Sequence, residues 1–242
     1  MNVFDVIQQN HDVYNAIASQ FSSTRSFLWK DLLPLAVFAR DGDRVLDLGC
    51  GNGRLRQLFN KKNISYVGLD QSEGLIAQAR KKFPEVRFDI GEMRSLPFAD
   101  SSFDSVYCVA AFHHLPDHVS QLACLKEIVR VLSPGGKVIM VNWNANGAWG
   151  KKKLETGKWK VVDEQLLMVP WKNAWGKILG ERLYYAFTIE ELENIFIQAG
   201  LIVEEQYYVK KGERSSLAEG ENIVSILSTG DQTSDRAIPR HP

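Results

Sequence analysis

Val45-Leu46-Asp47-Leu48-Gly49-Cys50-Gly51-Asn52-Gly53 is the stretch that decides the fold. An apolar run leads into an acid and then into a Gly-x-Gly-x-Gly loop. The run reads as a buried parallel strand. The glycines allow a tight turn and let a ligand approach the backbone. A helix candidate, Arg54 to Phe59, follows at once. Strand, glycine loop and helix together resemble a phosphate cradle, but the details point away from phosphate. A dinucleotide fingerprint needs its third glycine where this chain has Arg54, and a Gly-Lys-Ser/Thr phosphate loop is absent. Asp47 at the strand end would repel a pyrophosphate and suits a positive group such as an amino-acid ammonium.

A second apolar strand, Ile64 to Leu69, ends in Asp70, 17 residues after Gly53. An acid at that place binds ribose hydroxyls in nucleoside-binding α/β folds. The bland alternative is an Asp that caps the next helix, a task Ser72 could equally perform. A nucleoside with a zwitterionic amino-acid end and no phosphate describes S-adenosylmethionine.

Four consecutive motifs over residues 43–142 resemble the class I S-adenosylmethionine-dependent methyltransferases. Asp47 to Gly53, with Gly49, Gly51 and Gly53, is the glycine motif, and Asp70 is the ribose acid, followed by Gln71. Gly91-Glu92-Met93-Arg94-Ser95-Leu96-Pro97-Phe98 is similar to the third motif, with Glu92 where Asp is usual. The resemblance implies that Glu92 meets the adenine amino group and Met93 the ring. Ser102-Phe103-Asp104 to Pro116 is the fourth motif and carries Ala110, His113 and His114. Leu132 to Gly136 is the turn before the fifth strand.

A narrower resemblance runs along nearly the whole chain. Val13-Tyr14-Asn15-Ala16-Ile17-Ala18, Phe21 to Arg25, Trp29, His113-His114, Trp143, Val169-Pro170-Trp171 and Arg182-Leu183-Tyr184-Tyr185-Ala186-Phe187 are similar to the tRNA wobble-uridine methyltransferases. Those enzymes esterify 5-carboxymethyluridine. Two departures stand out: a short insert between Trp171 and Arg182, and only Glu221-Asn222 left of the Arg-Asp-Asn-Trp run before the last strand. The resemblance implies S-adenosylmethionine as cofactor, tRNA as substrate and, as in eukaryotic members, a small zinc-binding activator subunit.

Such a reaction assigns roles to residues. A carboxylate is already ionised at neutral pH, so no strong base is needed. Alignment is the main task. Arg25 is the candidate clamp, because a guanidinium fork matches a carboxylate; pairing with a surface acid is its bland alternative. Tyr14 borders the cofactor, and Tyr14 and Trp29 wall the transfer pocket or fill the core of an N-terminal lid. His114 hydrogen-bonds the substrate, and one of His113 and His114 faces in. Trp143 stacks on an unstacked base. Arg25, His114 and Trp143 form the catalytic set. Trp29, His113, Lys151, Lys152, Lys153, Trp171 and Arg182 form the substrate set. No Cys/His spacing suggests a metal.

The rest of the chain agrees. Of 242 residues 45% are apolar, and Lys+Arg equals Asp+Glu at 29 each, so global charge says nothing of nucleic acid. Residues 150–182 hold eight basic against four acidic side chains, interleaved with Trp159, Trp171 and Trp175. That patch suits a phosphate backbone or is simply a solvated loop. No apolar run reaches a membrane span. Met1 to Asn10 does not read as a secretory signal. Cys50, Cys108 and Cys124 read as reduced packing residues, which suits a cytoplasmic protein.

The expected architecture is one Rossmann-like α/β domain over 1–228, with helices on both faces of a seven-stranded, mostly parallel sheet. The resemblance implies the order 3-2-1-4-5-7-6, the last strand antiparallel. Strands are expected near 44–48, 64–69, 86–90, 104–109, 137–142, 202–209 and 222–228. Helices are expected near 4–20, 26–39, 52–59, 72–82, 119–131 and 188–199. Residues 1–40 form a helical lid, 144–182 a basic irregular insert, and 229–242 a polar, disordered tail. Two other functions stay open: a small-molecule methyltransferase for carboxylates, quinones or amines, and a non-catalytic cofactor-binding subunit.

Overall fold

Near-continuous apolar strands demand cover on both faces, and the helices supply it. The computed structural model describes residues 3–230. In chain order the elements are α1 (Val3–Thr24), β1 (Arg44–Leu48), β2 (Ser65–Asp70), α2 (Glu73–Lys82), β3 (Arg87–Ile90), β4 (Phe103–Val109), α3 (His118–Val131), β5 (Leu132–Trp143), α4 (Ala148–Glu155), β6 (Lys160–Val161), β7 (Leu166–Lys172), β8 (Ile178–Tyr185), α5 (Ile189–Gln198), β9 (Leu201–Lys210), β10 (Glu213–Ser215) and β11 (Asn222–Thr229).

The main sheet has eight strands in the order β3-β2-β1-β4-β5-β11-β9-β10. Its first seven positions are the expected 3-2-1-4-5-7-6, with β11 antiparallel to both neighbours. The eighth strand corrects the expectation. Lys211 and Gly212 both have positive φ (55° and 91°), the conformation of a tight two-residue hairpin. That turn folds β10 back onto β9.

Two expected helices are also corrected. Residues 26–39 are not a regular helix: a 3₁₀ stretch begins only at Lys30, runs to Phe38 and contains Pro34. Proline has no N–H for the i→i−4 bond. Arg54–Phe59 is likewise 3₁₀ and starts from Gly53 in the left-handed region. Thr229 still pairs with Leu201 in β11. The rest of the expected tail, from 231, lies outside the described residues.

The 144–182 segment differs most. It is ordered: α4, then β6, β7 and β8 in a separate antiparallel sheet. Register pairs Leu167 with Tyr184 and Val169 with Arg182. Alternation then puts Leu167, Val169, Trp171, Arg182 and Tyr184 on one face, and all five are buried. This small sheet caps the carboxyl ends of the parallel strands. α1 binds it edge-on: Asn10 Nδ2 donates to Leu183 O at 3.0 Å, and Asn10 Oδ1 accepts from Leu183 N at 2.8 Å. α1 is also pinned to α2, where Asn15 Oδ1 accepts from Ser72 Oγ and Gly74 N. Among the described residues no helix is long and apolar enough to cross a membrane.

Candidate active site

One cavity, about 1240 Å³ including its open mouth, lies between the strand ends, α1 and the β6–β8 cap. Its floor is the glycine loop. Asp70 closes that loop: Oδ2 accepts from Gly51 N at 2.8 Å and Oδ1 from Ser72 N at 2.9 Å. Ser72 Oγ caps α2 by accepting from Leu75 N at 3.2 Å, so Asp70 is free of that task. Burial raises the Asp70 carboxyl, and the two N–H donors oppose the shift. Asp47 is 2% exposed and accepts from the Tyr66 hydroxyl. Burial pushes its carboxyl up to about 7; the Tyr66 bond and the Arg54 charge pull down, and Asp70 pushes up.

Of the residues read from sequence, Tyr14, Arg25, Trp29, Asp47, Gly49, Gly51, Asp70, Gln71, Glu92, Met93, Ala110, His114, Trp143, Trp171 and Arg182 all border this cavity. Gly53 does not. A Cβ there would meet Phe88 Cζ at 2.8 Å, so Gly53 serves helix–sheet contact. Lys151, Lys152 and Lys153 lie on α4, outside the cavity lining. His113 is 1% exposed and sits behind it, between Trp143 and Tyr184.

His114 is the histidine that faces in, from a 3₁₀ turn (Phe112–His114) rather than from the strand itself. Its Nδ1 lies 3.2 Å from Leu183 O. A carbonyl only accepts, so Nδ1 carries the proton and Nε2 accepts from Tyr14 Oη at 3.0 Å. Tyr14 Oη in turn accepts from Tyr184 Oη (3.1 Å) and Arg182 Nη1 (3.2 Å). Burial and then the Arg182 charge push His114 down to about 3. Neutral and fully bonded, His114 holds Tyr14 in place.

Trp143 is not free to stack a base. Its ring is parallel to Tyr184 (4.7 Å, 8°) and to Trp159 (5.8 Å, 3°), with Trp149 edge-on. Trp143 still borders the cavity. Glu92 is also committed: the Arg94 guanidinium binds both of its oxygens.

The charge pattern is the feature sequence reading missed. Arg25, Arg54 and Arg182 all line the cavity, and none forms an ion pair among the described residues. Arg182 is 5% exposed, and its Nε has no partner. It lies 5.1 to 5.5 Å from the ring centres of Trp171, Tyr184 and Tyr14. Arg25 meets the same Trp171 ring at 5.3 Å. Arg54 lies 4.3 Å from the ring centre of Trp29, and its Nη1 is buried without a partner. Burial and repulsion from Arg25 push Arg54 down to about 10, with Asp47 opposing. Asn52, also missed, ties the end of α1 to the glycine loop through Arg25 O and Ser22.

A methyltransferase-domain profile matches residues 46–140. Residues 46–140 of the chain are therefore similar to a methyltransferase domain. The tRNA (carboxymethyluridine(34)-5-O)-methyltransferase of Macaca fascicularis is 33% identical over 143 residues, 59% of this chain and 21% of that protein. The demethylmenaquinone methyltransferase of Renibacterium salmoninarum is 32% identical over 142 residues, 59% of this chain and 57% of that protein. The chain therefore spans between about a fifth and somewhat over half of these relatives. The fold of the whole matches the putative methyltransferase of Haloferax volcanii, solved in complex with the Trm112 methyltransferase activator. That match has TM-score 0.67 and 21% identity, and covers 96% of this chain and 100% of that one.

S-adenosylmethionine is the cofactor that the sequence motifs imply, and the residues of the cavity fit it. Asp70 keeps acceptor capacity beyond its two backbone donors. A Cβ at Gly49 would lie 2.3 Å from Ala111 Cβ, so the loop admits nothing but glycine there. The Asp47 and Arg54 charges stand together at one end, as a zwitterion requires.

Proposed function

We propose that this chain methylates a carboxylate, and that the carboxylate belongs to 5-carboxymethyluridine at the tRNA wobble position. The carrying observation is the surplus of unpaired guanidinium in the cavity. A buried arginine without an acid is costly unless a ligand brings the counter-charge. With Glu92 neutralised by Arg94, three cations face Asp47 and Asp70. With the cofactor's ammonium and sulfonium added to this surplus, the balance calls for at least two carboxylates, the methionine's and the substrate's. It repels an amine and gives nothing to an uncharged quinone, which weighs against the small-molecule reading suggested by the menaquinone relative. The tRNA relative is named for a carboxymethyl substrate.

When bound, S-adenosylmethionine supplies an electrophilic methyl. Asp70 accepts from its ribose, Met93 and Leu115 border the base, and Asp47 and Arg54 take the ammonium and carboxylate of its methionine end. Arg182 holds the substrate carboxylate, backed by Trp171 and Tyr184, and Arg25 closes the same space from the lid. Tyr14 and His114 fix the roof rather than move protons; the carboxylate arrives ionised. A small activator subunit is the second partner of this reading. Mass spectrometry of tRNA nucleosides from a deletion strain tests it: the carboxymethyl nucleoside should accumulate and its methyl ester vanish. Unchanged nucleosides would move the substrate elsewhere.

Asp70→Asn is expected to weaken S-adenosylmethionine binding by roughly 1.5–3 kcal/mol, the worth of a charge-assisted bond. Equal affinities by calorimetry would take Asp70 out of the site. Asp47 gives a pH signature. With its carboxyl raised to about 7, the cavity holds a proton below neutrality, and an arriving ammonium favours the ionised form. Affinity should fall about fivefold from about pH 7 to about pH 6, and binding there should release a proton. Calorimetry in two buffers of different ionisation heat reads that proton, and Asp47→Asn should abolish it.

A further inference from the structure

Six tryptophans are present, and the cap sorts those of the basic stretch. Trp159 is buried on Trp143, and Trp171 is buried with its Nε1 donating to Gln20 Oε1 at 2.6 Å. Trp175 is 90% exposed, at the tip of the β7–β8 hairpin. The tip is preformed. Asn173 Oδ1 accepts from Trp175 N at 3.0 Å and from Lys177 N at 2.9 Å, and Asn173 N donates to Lys177 O at 3.0 Å. Gly176 turns the chain with φ 81°. The segment 172–180 contains Lys172 and Lys177, both exposed, and no acid. Trp175 is four residues beyond Trp171 of the cavity wall, so it stands within about 14 Å of it along the chain.

Resting on the tRNA reading above, we propose that Trp175 is a stacking platform for an unpaired RNA base beside the target nucleotide, with Lys172 and Lys177 on the adjoining phosphates. A large apolar ring held in water by a fixed turn, between two lysines and without an acid, matches single-stranded nucleic acid. A second copy of the chain would meet like charge there. Because Trp143 is already sandwiched, this hairpin supplies the ring that a base can reach.

Two measurements separate this inference from the function it rests on. The first is equilibrium binding of an unmodified anticodon stem-loop RNA, by fluorescence anisotropy, to wild type, Trp175→Ala and Trp175→Phe. Trp175→Ala should bind about tenfold more weakly, and Trp175→Phe should recover part of the loss. The second is methyl transfer to carboxymethyluridine as a free nucleoside and within the stem-loop. Trp175→Ala should raise KM for the stem-loop, leave its kcat, and leave the nucleoside reaction unchanged. RNA binding through Trp175 without methyl transfer would sink the function and keep the platform. Equal RNA binding by wild type and Trp175→Ala, or no RNA binding by wild type, overturns the platform. A dimer that Trp175→Ala dissociates in sedimentation, with RNA affinity unchanged, overturns it in favour of self-association.

Discussion

Replacing Arg182 with methionine is expected to cut methyl transfer to a carboxylate substrate by roughly 10²-fold or more, while the fold keeps or gains stability. The two halves come from one fact. A guanidinium without an acid partner, buried among Trp171, Tyr184 and Tyr14, is a liability to the empty protein. Methionine fills similar volume and needs no counter-charge, so the melting temperature should hold or rise. Loss of a charged partner to a desolvated carboxylate costs about 2–5 kcal/mol, which sets the rate effect. Arg182→Lys should not rescue turnover, since the ammonium lacks the planar fork. S-adenosylmethionine binding should stay near wild type in both variants, because the contacts proposed for the cofactor lie at the strand ends. Single-turnover transfer, calorimetry and thermal melting together decide the matter. A large fall in melting temperature with loss of cofactor binding would make Arg182 a support of the cap. Arg25→Ala is the companion variant. Slower transfer with intact cofactor binding shares the clamp between the two arginines, whereas loss of cofactor assigns Arg25 to the methionine end.

Sequence made the cofactor half of this site readable because its signals are local. Asp47 to Gly53 and Asp70 follow their strands at fixed spacing, and backbone physics leaves such loops little choice. Strands β1, β2, β4, β5 and β11 were readable for a related reason, since burial on both faces writes near-continuous apolar runs. The substrate half depends on contacts between distant segments. Tyr14, His114, Leu183 and Arg182 meet only when α1 crosses the cap, at separations of 69 to 168 residues. The cap itself alternates in a short, lysine-rich stretch, and its charges masked the period of Leu167, Val169 and Trp171. Trp143 looked available because its neighbours Trp159 and Tyr184 lie 16 and 41 residues away in sequence. Arg54 reads in sequence as the first residue of a helix, whereas the 3₁₀ turn aims it inward beside Asp47. Composition cannot show that three arginines converge without forming an ion pair; only the fold does.

Gly49→Ala should cost both stability and cofactor binding. Gly49 has φ 73°, and its N–H donates to Leu69 O at 2.8 Å, so the turn cannot relax without breaking the link between β1 and β2. A left-handed alanine costs about 1–2 kcal/mol. The added Cβ would lie 2.3 Å from Ala111 Cβ, a stub fixed to backbone that no rotamer change can move. Overpacking of that kind costs a further 1–3 kcal/mol or so. Either the loop or the Ala110-Ala111 segment must shift, and both border the cavity, so S-adenosylmethionine binding should be lost along with stability. Ala111→Gly is the test of cause. It removes the facing methyl and should restore the overpacking part in the double variant, leaving the left-handed strain. Urea unfolding of both single variants and the double gives the coupling, expected at about 1–3 kcal/mol. Additive losses would mean that the two Cβ positions do not meet. Wild-type cofactor affinity in Gly49→Ala would mean that the glycine loop does not lie against the ligand.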